Sequence, residues 1–355
     1  MALADAWLRR IGFEIAYDRA GEEIGAEIGN MICFKKGSIA DAPRLFFSSH
    51  FDTVEPTAGL EPRIVNGRIL SDGTTILGAD DKAGLAAIIE AMCVLHESGA
   101  PHGDLQLLLT ICEEIGLRGA KYMDPSVIRA DYGFVLDACP PIGTTIRQAP
   151  YYDFLRVHIH GKAAHAGIEP ENGVSAIRIA ARAIERMSLG RIDEETTANV
   201  GVLRGGTATN VIAGETYLEC ESRSQRQDKL IRQTRSMHEA LRAAASELGG
   251  SIEIVTERAY NGYSISPGHP ILALVEKATR AIGLPYAAQV SGGGADANYF
   301  NEHGVPTVVL ACAMSNVHRH DEYANISDLV LSARQVLSIV RTAAMQPLRK
   351  KEDGR

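Results

Sequence analysis

Apolar positions fall into different patterns along this chain. Four short runs are apolar at nearly every residue: Leu45–Ser48, Leu105–Cys112, Tyr132–Leu136 and Thr307–Ala313. Each is too short for a helix and ends in polar residues or Gly, which predicts strands of a parallel sheet buried on both faces. Helical spacing is found over Lys82–His96, Pro270–Ile282 and from Ile326 to about Met345. Strands alternating with helices predict an open α/β layer. The middle of the chain differs: strand Tyr152–His160, helix Gly173–Met187, strands Thr196–Leu203 and Thr216–Glu221, helix Asp228–Leu248 and strand Ser251–Arg258. That order is ferredoxin-like. The expected fold class is therefore α/β, with a mostly parallel-sheet domain built from residues 1–150 and 263–355. An α+β domain is inserted at 151–262, and the polar tail Arg349–Arg355 reads as a solvated end.

A length of 355 residues suits two domains. Hydrophobic residues make up 45% and charged residues 23%, enough to bury a sizeable core, which excludes a disordered or collagen-like chain. Thirty-six Lys and Arg against 44 Asp and Glu leave a net charge of −8, with no basic surplus to neutralise a phosphate backbone. Nucleic acid is not an expected partner. The acidity means either solubility or carboxylates gathered to hold cations. Six Cys, none in a C-x-x-C pair and most inside apolar runs, read as buried thiols of a reducing compartment. With no cationic-then-apolar leader and no apolar stretch of ~18 residues, the expectation is a cytoplasmic protein that meets no membrane.

The residues just past each apolar run change the picture. After the first come His50 and Asp52, two residues apart and able to share one side of a strand. Glu113 and Glu114 come after the second run, Asp137 after the third, and a loop with His318 and His320 after the fourth. Ligands of open α/β sheets bind outside the carboxyl ends of the strands. A fifth element, Gly78-Ala79-Asp80-Asp81-Lys82-Ala83-Gly84, opens a helix. Asp81 alone is adequately explained as a helix N-cap, but two adjacent Asp exceed what a cap needs. Each of the other residues also has a structural explanation by itself. Together, carboxylates crowded at strand ends need a cation, and mixed His/Asp/Glu ligands suit Zn²⁺, with Mn²⁺ or Co²⁺ as substitutes. A bridging carboxylate would make a two-metal hydrolytic site.

These motifs, in this order over nearly the whole chain, resemble the two-zinc metallopeptidase family that includes peptidase T, glutamate carboxypeptidase, aminoacylase and succinyl-diaminopimelate desuccinylase. The resemblance implies that His50 is a ligand and that Asp52 orients it, that Asp80 bridges two metals, and that Glu113 is the general base. It implies Glu114, Asp137 and His318 as the remaining ligands; the H-x-x-x-E spacing to Glu322 selects His318, with His320 second. An Asp at position 137 points to an aminopeptidase, where Glu would point to a carboxypeptidase or deacylase. The inserted domain corresponds to a lid that also dimerises, so the resemblance implies a homodimer. In the lid, His165 would polarise the scissile carbonyl of a partner's substrate, and Asn210 and Arg223 would grip substrate polar groups. Gly292-Gly293-Gly294-Ala295-Asp296 resembles the family's Gly-rich loop beside the site; it lacks the G-K-S/T of a phosphate loop. Relatives usually carry an extra helix ahead of the segment matching Ala4–Gly12, on which no metal ligand depends.

The implied activity is hydrolysis of small peptides, of the tripeptide aminopeptidase (peptidase T-like) type, by a water activated between two divalent metal ions, Zn²⁺ first. Within the family the alternatives are an N-acyl amino acid deacylase, a dipeptidase or a carboxypeptidase. An inactive dimeric binding homologue would show a broken ligand set, whereas every expected ligand is present. A nucleotide-binding α/β protein would need a Gly-rich turn after the first strand, where Ser48-Ser49-His50-Phe51-Asp52 stands instead.

Overall fold

The computed structural model describes residues 1–346, so the tail expected to be solvated, 349–355, lies outside the described residues. Contacts divide the chain into two compact units: Met1–Gln148 with the chain from Ser264 onward, and Ala149–Tyr263. Among the described residues, no helix is long and apolar enough to cross a membrane.

The first unit is built on a mixed sheet whose centre is four parallel strands, in the order Leu105–Thr110, Leu45–His50, Tyr132–Ala138 and Thr307–Ala311. Leu45 stands opposite both Leu105 and Tyr132, and Thr307 opposite Gly133, so all four carboxyl ends reach one edge. The strands Leu45–His50 and Leu105–Thr110 are buried at every residue, which accounts for their unbroken apolar character. Phe47 stacks on Phe134 with ring centroids 5.3 Å apart, and Phe46 meets Phe300 edge-on at 4.9 Å. Each such fully buried ring contributes about 1.5–3 kcal/mol. Gly133 is required here, because a Cβ would run into the Phe46 ring. The helices Ala79–Ser98 and Ile326–Ala344 pack against each other beside this sheet.

Three features go beyond the pattern. Antiparallel strands Glu14–Tyr17, Met31–Lys35 and Thr144–Ala149 extend the sheet. The outermost, Glu14–Tyr17, is largely exposed and too short to stand out as an apolar run. The second and fourth apolar runs also stop being strand earlier than their composition suggests, at Thr110 and Ala311. Beyond Thr110 the backbone turns through Cys112, at φ 54°, and this turn carries Glu113 and Glu114. A separate small sheet pairs Arg63–Val65, Arg68–Leu70, Tyr323–Asn325 and Met314–Ser315. Its hairpin from Met314 to Tyr323 holds the loop with His318, itself at φ 63°.

The second unit has a five-stranded antiparallel sheet in the order Gly190–Arg191, Thr196–Gly205, Glu215–Ser224, Tyr151–His160, Ser251–Tyr260. Two helices, Ala176–Arg186 and Gln227–Leu248, cover one face. Strict alternation produces this: Leu155, Val157 and Ile159 enter the core with Leu218, Ile179, Met237 and Leu241, while Arg156 and His158 point away. The first helix starts on the Ser175 hydroxyl, which accepts the Arg178 amide hydrogen bond at 3.3 Å, worth about 1 kcal/mol.

Candidate metal centre

Asp80 stands at the middle of the site, at the carboxyl edge of the parallel strands. Its Oδ1 lies 3.1 Å from Nε2 of His50, and its Oδ2 lies 3.1 Å from Nε2 of His318. One carboxylate thus faces two imidazoles, one per oxygen. Glu114 Oε1 lies 3.2 Å from the same His318 nitrogen, without the alignment of a hydrogen bond. His50, Asp80 and Glu114 present ligand atoms within 4.8 Å of one another, and so do His50, Asp81 and Asp137. Glu113 sits 4.0 Å from His50. The seven expected residues of this unit (His50, Asp52, Asp80, Glu113, Glu114, Asp137 and His318) therefore gather in one place.

Local structure explains why they stay there. The first strand ends at His50, and Asp52, just past its end, turns back so that Oδ1 lies 3.5 Å from His50 Nδ1. The same Asp52 carboxylate accepts the backbone N–H groups of Glu113 at 3.0 Å and Glu114 at 3.1 Å. This carboxylate sits beside the imidazole, whose Nδ1 is 3.1 Å from the Asp52 backbone carbonyl, and it holds the turn that carries two acids. His320 points elsewhere, to Glu55 at 3.0 Å, and fastens the far side of its loop.

Three further residues join the site without having stood out as site residues in the sequence. Glu322, almost fully buried, accepts the backbone N–H of Gly78 at 2.6 Å and of Asp80 at 2.9 Å, which anchors the central aspartate. Its signal is present in the sequence, since it supplies the spacing that selects His318. Asp81 caps its helix by accepting the Gly84 N–H at 3.1 Å, but its Oδ2 is buried without a hydrogen-bond partner. Asp296, from the Gly-rich loop, accepts the Thr110 hydroxyl at 2.5 Å.

Electrostatics separates these groups. Burial pushes the carboxyls of Asp81 up to about 7 and Asp296 up to about 6. Burial also drives Glu113 and Asp137 well above the ordinary range, with neighbouring carboxylates adding to the effect. Asp80 moves the other way: burial opposes its ionisation, but the hydrogen bonds from His318 and His50 outweigh it. Buried acids crowded around one another cost several kcal/mol each unless a cation or proton offsets them. Imidazole and carboxylate donors with an orphaned buried oxygen fit divalent cations of the Zn²⁺, Mn²⁺ or Co²⁺ kind, and affinity alone does not choose between these.

The remaining expected residues belong to the inserted unit. His165 is exposed, and its segment pairs with Val211 while Ala166 N–H donates to the Asn210 carbonyl at 2.9 Å, so His165 and Asn210 sit on adjoining loops. Arg223 donates to Glu221 at 2.9 Å and to the Tyr260 hydroxyl at 3.3 Å, with its guanidinium over the Tyr152 ring at 4.4 Å.

Residues 46–342 match peptidase family M20/M25/M40, a span running from the first parallel strand to the last helix. The chain belongs to that family. It is a metal-dependent hydrolase. A Bacillus subtilis (strain 168) protein, YqjE, is 44% identical over 334 residues, covering 94% of this chain and 90% of that protein. The crystal structure of aminopeptidase PepT from Bacillus cereus ATCC 10987 is 40% identical, with a TM-score of 0.89 over 97% of this chain and 92% of that one. A Staphylococcus aureus subsp. aureus Mu50 tripeptidase, SAV1512, is 39% identical, with a TM-score of 0.94 over 98% and 92%.

Proposed function

We propose that this peptidase removes the N-terminal residue from small peptides, tripeptides above all, as an aminopeptidase of the peptidase T type. The observation that carries the reading is Asp80, whose two oxygens each face a different imidazole. That arrangement would let one carboxylate be shared between two divalent cations. His50, Asp80 and Asp137 would hold one ion, and His318, Asp80 and Glu114 the other, with Zn²⁺ the first candidate. Bound there, the ions would supply Lewis-acid polarisation of a carbonyl and a more acidic water.

The chain's own residues do the rest. Glu113, enclosed beside this centre, takes a proton from the attacking water and returns it to the leaving amine nitrogen. Asp52 keeps His50 in one tautomer and holds the Glu113–Glu114 backbone through two N–H bonds. In the inserted unit, read as a lid spanning about 151–262, Arg223 offers a planar fork for a peptide carboxylate and Asn210 an amide. His165 acts on the substrate of a second copy in a homodimer joined through the lid, and the enzyme works in the cytoplasm. Support for the aminopeptidase over a deacylase comes from Asp rather than Glu at 137 and from the PepT and tripeptidase relatives.

The test is Glu113→Gln with tripeptides as substrate. Turnover should fall ~10²–10⁴-fold while bound metal stays near two ions per chain. Full activity in that variant refutes the assignment of the base. Preference for N-acyl amino acids over free-amino tripeptides in the parent refutes the substrate class.

A further inference from the structure

The Gly-rich loop that ends at Asp296 has no role in the chemistry above, yet it places a buried acid against Thr110, at the strand end beside the site. Asp296 is 2% exposed. It precedes the short helix Ala297–Glu302 but makes no cap hydrogen bond to it; the Asn298 side chain instead accepts the Ala295 N–H at 3.2 Å. Its Oδ2 accepts the Thr110 hydroxyl at 2.5 Å, and its Oδ1 is buried with no hydrogen-bond partner. A residue present only to fill space here would be apolar, because an enclosed carboxylate is costly to keep.

Thr110 is the last residue of its strand, directly opposite His50 across the parallel pairing. Its carbonyl accepts the Phe51 N–H at 2.9 Å, and its hydroxyl points to Asp296. Beyond it the chain has only Ile111 and the left-handed Cys112 before Glu113. Asp52 holds the Glu113 backbone from one side. The other end of that turn is set by how Thr110 is held, and Asp296 lies close enough for its charge to act on Glu113.

We propose that Asp296, through the Thr110 hydroxyl, is a positioning residue for the general base Glu113. This rests on Glu113 being that base. The Gly-rich loop then serves to bring a carboxylate from a distant part of the chain under the strand end, and the unshared oxygen is what remains after one oxygen is committed to Thr110.

Four variants of the full-length, metal-loaded protein test it: Thr110→Val, Thr110→Ser, Asp296→Ala and Asp296→Asn, with Glu113→Gln as reference. Steady-state tripeptide hydrolysis, metal content and circular dichroism are measured on each. Thr110→Val and Asp296→Ala should lower kcat by about 10–100-fold, with KM near the parent and two metals retained, as expected for a slightly misplaced base. Thr110→Ser keeps the hydroxyl and Asp296→Asn keeps an acceptor, so both should restore kcat to near the parent. Unchanged kcat in Thr110→Val or Asp296→Ala overturns the proposal. So does a loss in the two conservative variants as deep as in the disruptive ones. If kcat falls only together with metal content or folded signal, the contact is structural and the proposal also fails. An active Glu113→Gln would instead remove the base itself, so failure of the underlying reading is told apart from failure of the lock.

Discussion

Carboxylates on the surface of the inserted unit and those buried at the centre of the other unit are held in opposite ways. In the inserted unit the acids have cationic partners built into the chain: Asp228 lies 3.0 Å from Arg226 and 2.8 Å from Arg232, and Glu247 lies 2.5 Å from Arg182 and 2.6 Å from Arg186. The Arg226 hydrogen bond holds Asp228 down at about 2. In the catalytic unit Glu113, Asp137, Asp81 and Asp296 face mostly one another, and burial drives them up. The first group is complete as protein. The second group outnumbers the cationic side chains beside it, His50, His318 and Lys82, and this contrast separates surface acidity from buried acidity better than the net charge of −8 could.

The largest expected effect comes from removing the centre of the second group. Asp80→Ala should reduce hydrolysis to background and leave fewer than two ions per chain, read by elemental analysis beside the rate assay. Two ions retained in that variant would break the comparison at its root. Next is Asp52→Ala, which removes the carboxylate behind His50. Metal affinity should weaken ~10–100-fold. A competition titration with a chromophoric chelator measures this, and unchanged affinity would mean that the backbone alone holds the site.

The comparison also has a pH form in chelator-treated protein. Asp296 is raised from an ordinary 3.8 to about 6, so between those values the folded protein holds a proton that the unfolded chain has released. Stability should therefore fall as pH rises through about 6, and Asp296→Asn should flatten that slope. Asp228 is lowered from 3.8 to about 2, so its contribution is present above 3.8 and is lost as pH falls through about 2. Denaturant unfolding at pH 4.5 and 7.5 separates the two; equal slopes in Asp296→Asn and the parent would remove Asp296 from the account. The smallest effect belongs to Asp228→Asn. Its exposed, solvent-screened pairs should leave the unfolding midpoint at neutral pH close to that of the parent, with activity unchanged.

How far the sequence revealed all this depends on what each residue's signal was. Strands buried on both faces announce themselves by composition, and Leu45–His50 and Leu105–Thr110 did. The edge strand Glu14–Tyr17 is four residues long and mostly faces solvent, so it gave no long apolar run to read. The acids at the strand ends were visible because a rule of α/β sheets says where to look. Asp296 and Glu322 were harder, since their contacts join positions far apart in the chain: Thr110 with Asp296, and Gly78 with Glu322. Tertiary hydrogen bonds of that kind have no period and no spacing. The choice of His318 over His320 came from a family spacing; in the structure His318 meets Asp80 and Glu114 while His320 meets Glu55.

The chain's threading also sets an order of events at birth. Thr307–Ala311 must join Tyr132–Ala138, but the whole of Ala149–Tyr263 is synthesised between them. At ~5–20 residues per second, a nascent chain spends roughly 10–35 seconds with His50, Asp80, Glu113 and Glu114 already made and neither Asp296 nor His318 yet in existence. A half-finished polypeptide thus holds one side of the candidate centre and lacks the imidazole that faces Asp80 from the other. On the proposed ligand set, the second cation position is therefore completed late, after the strand Thr307–Ala311 has been made, and a product truncated before His318 would lack that imidazole.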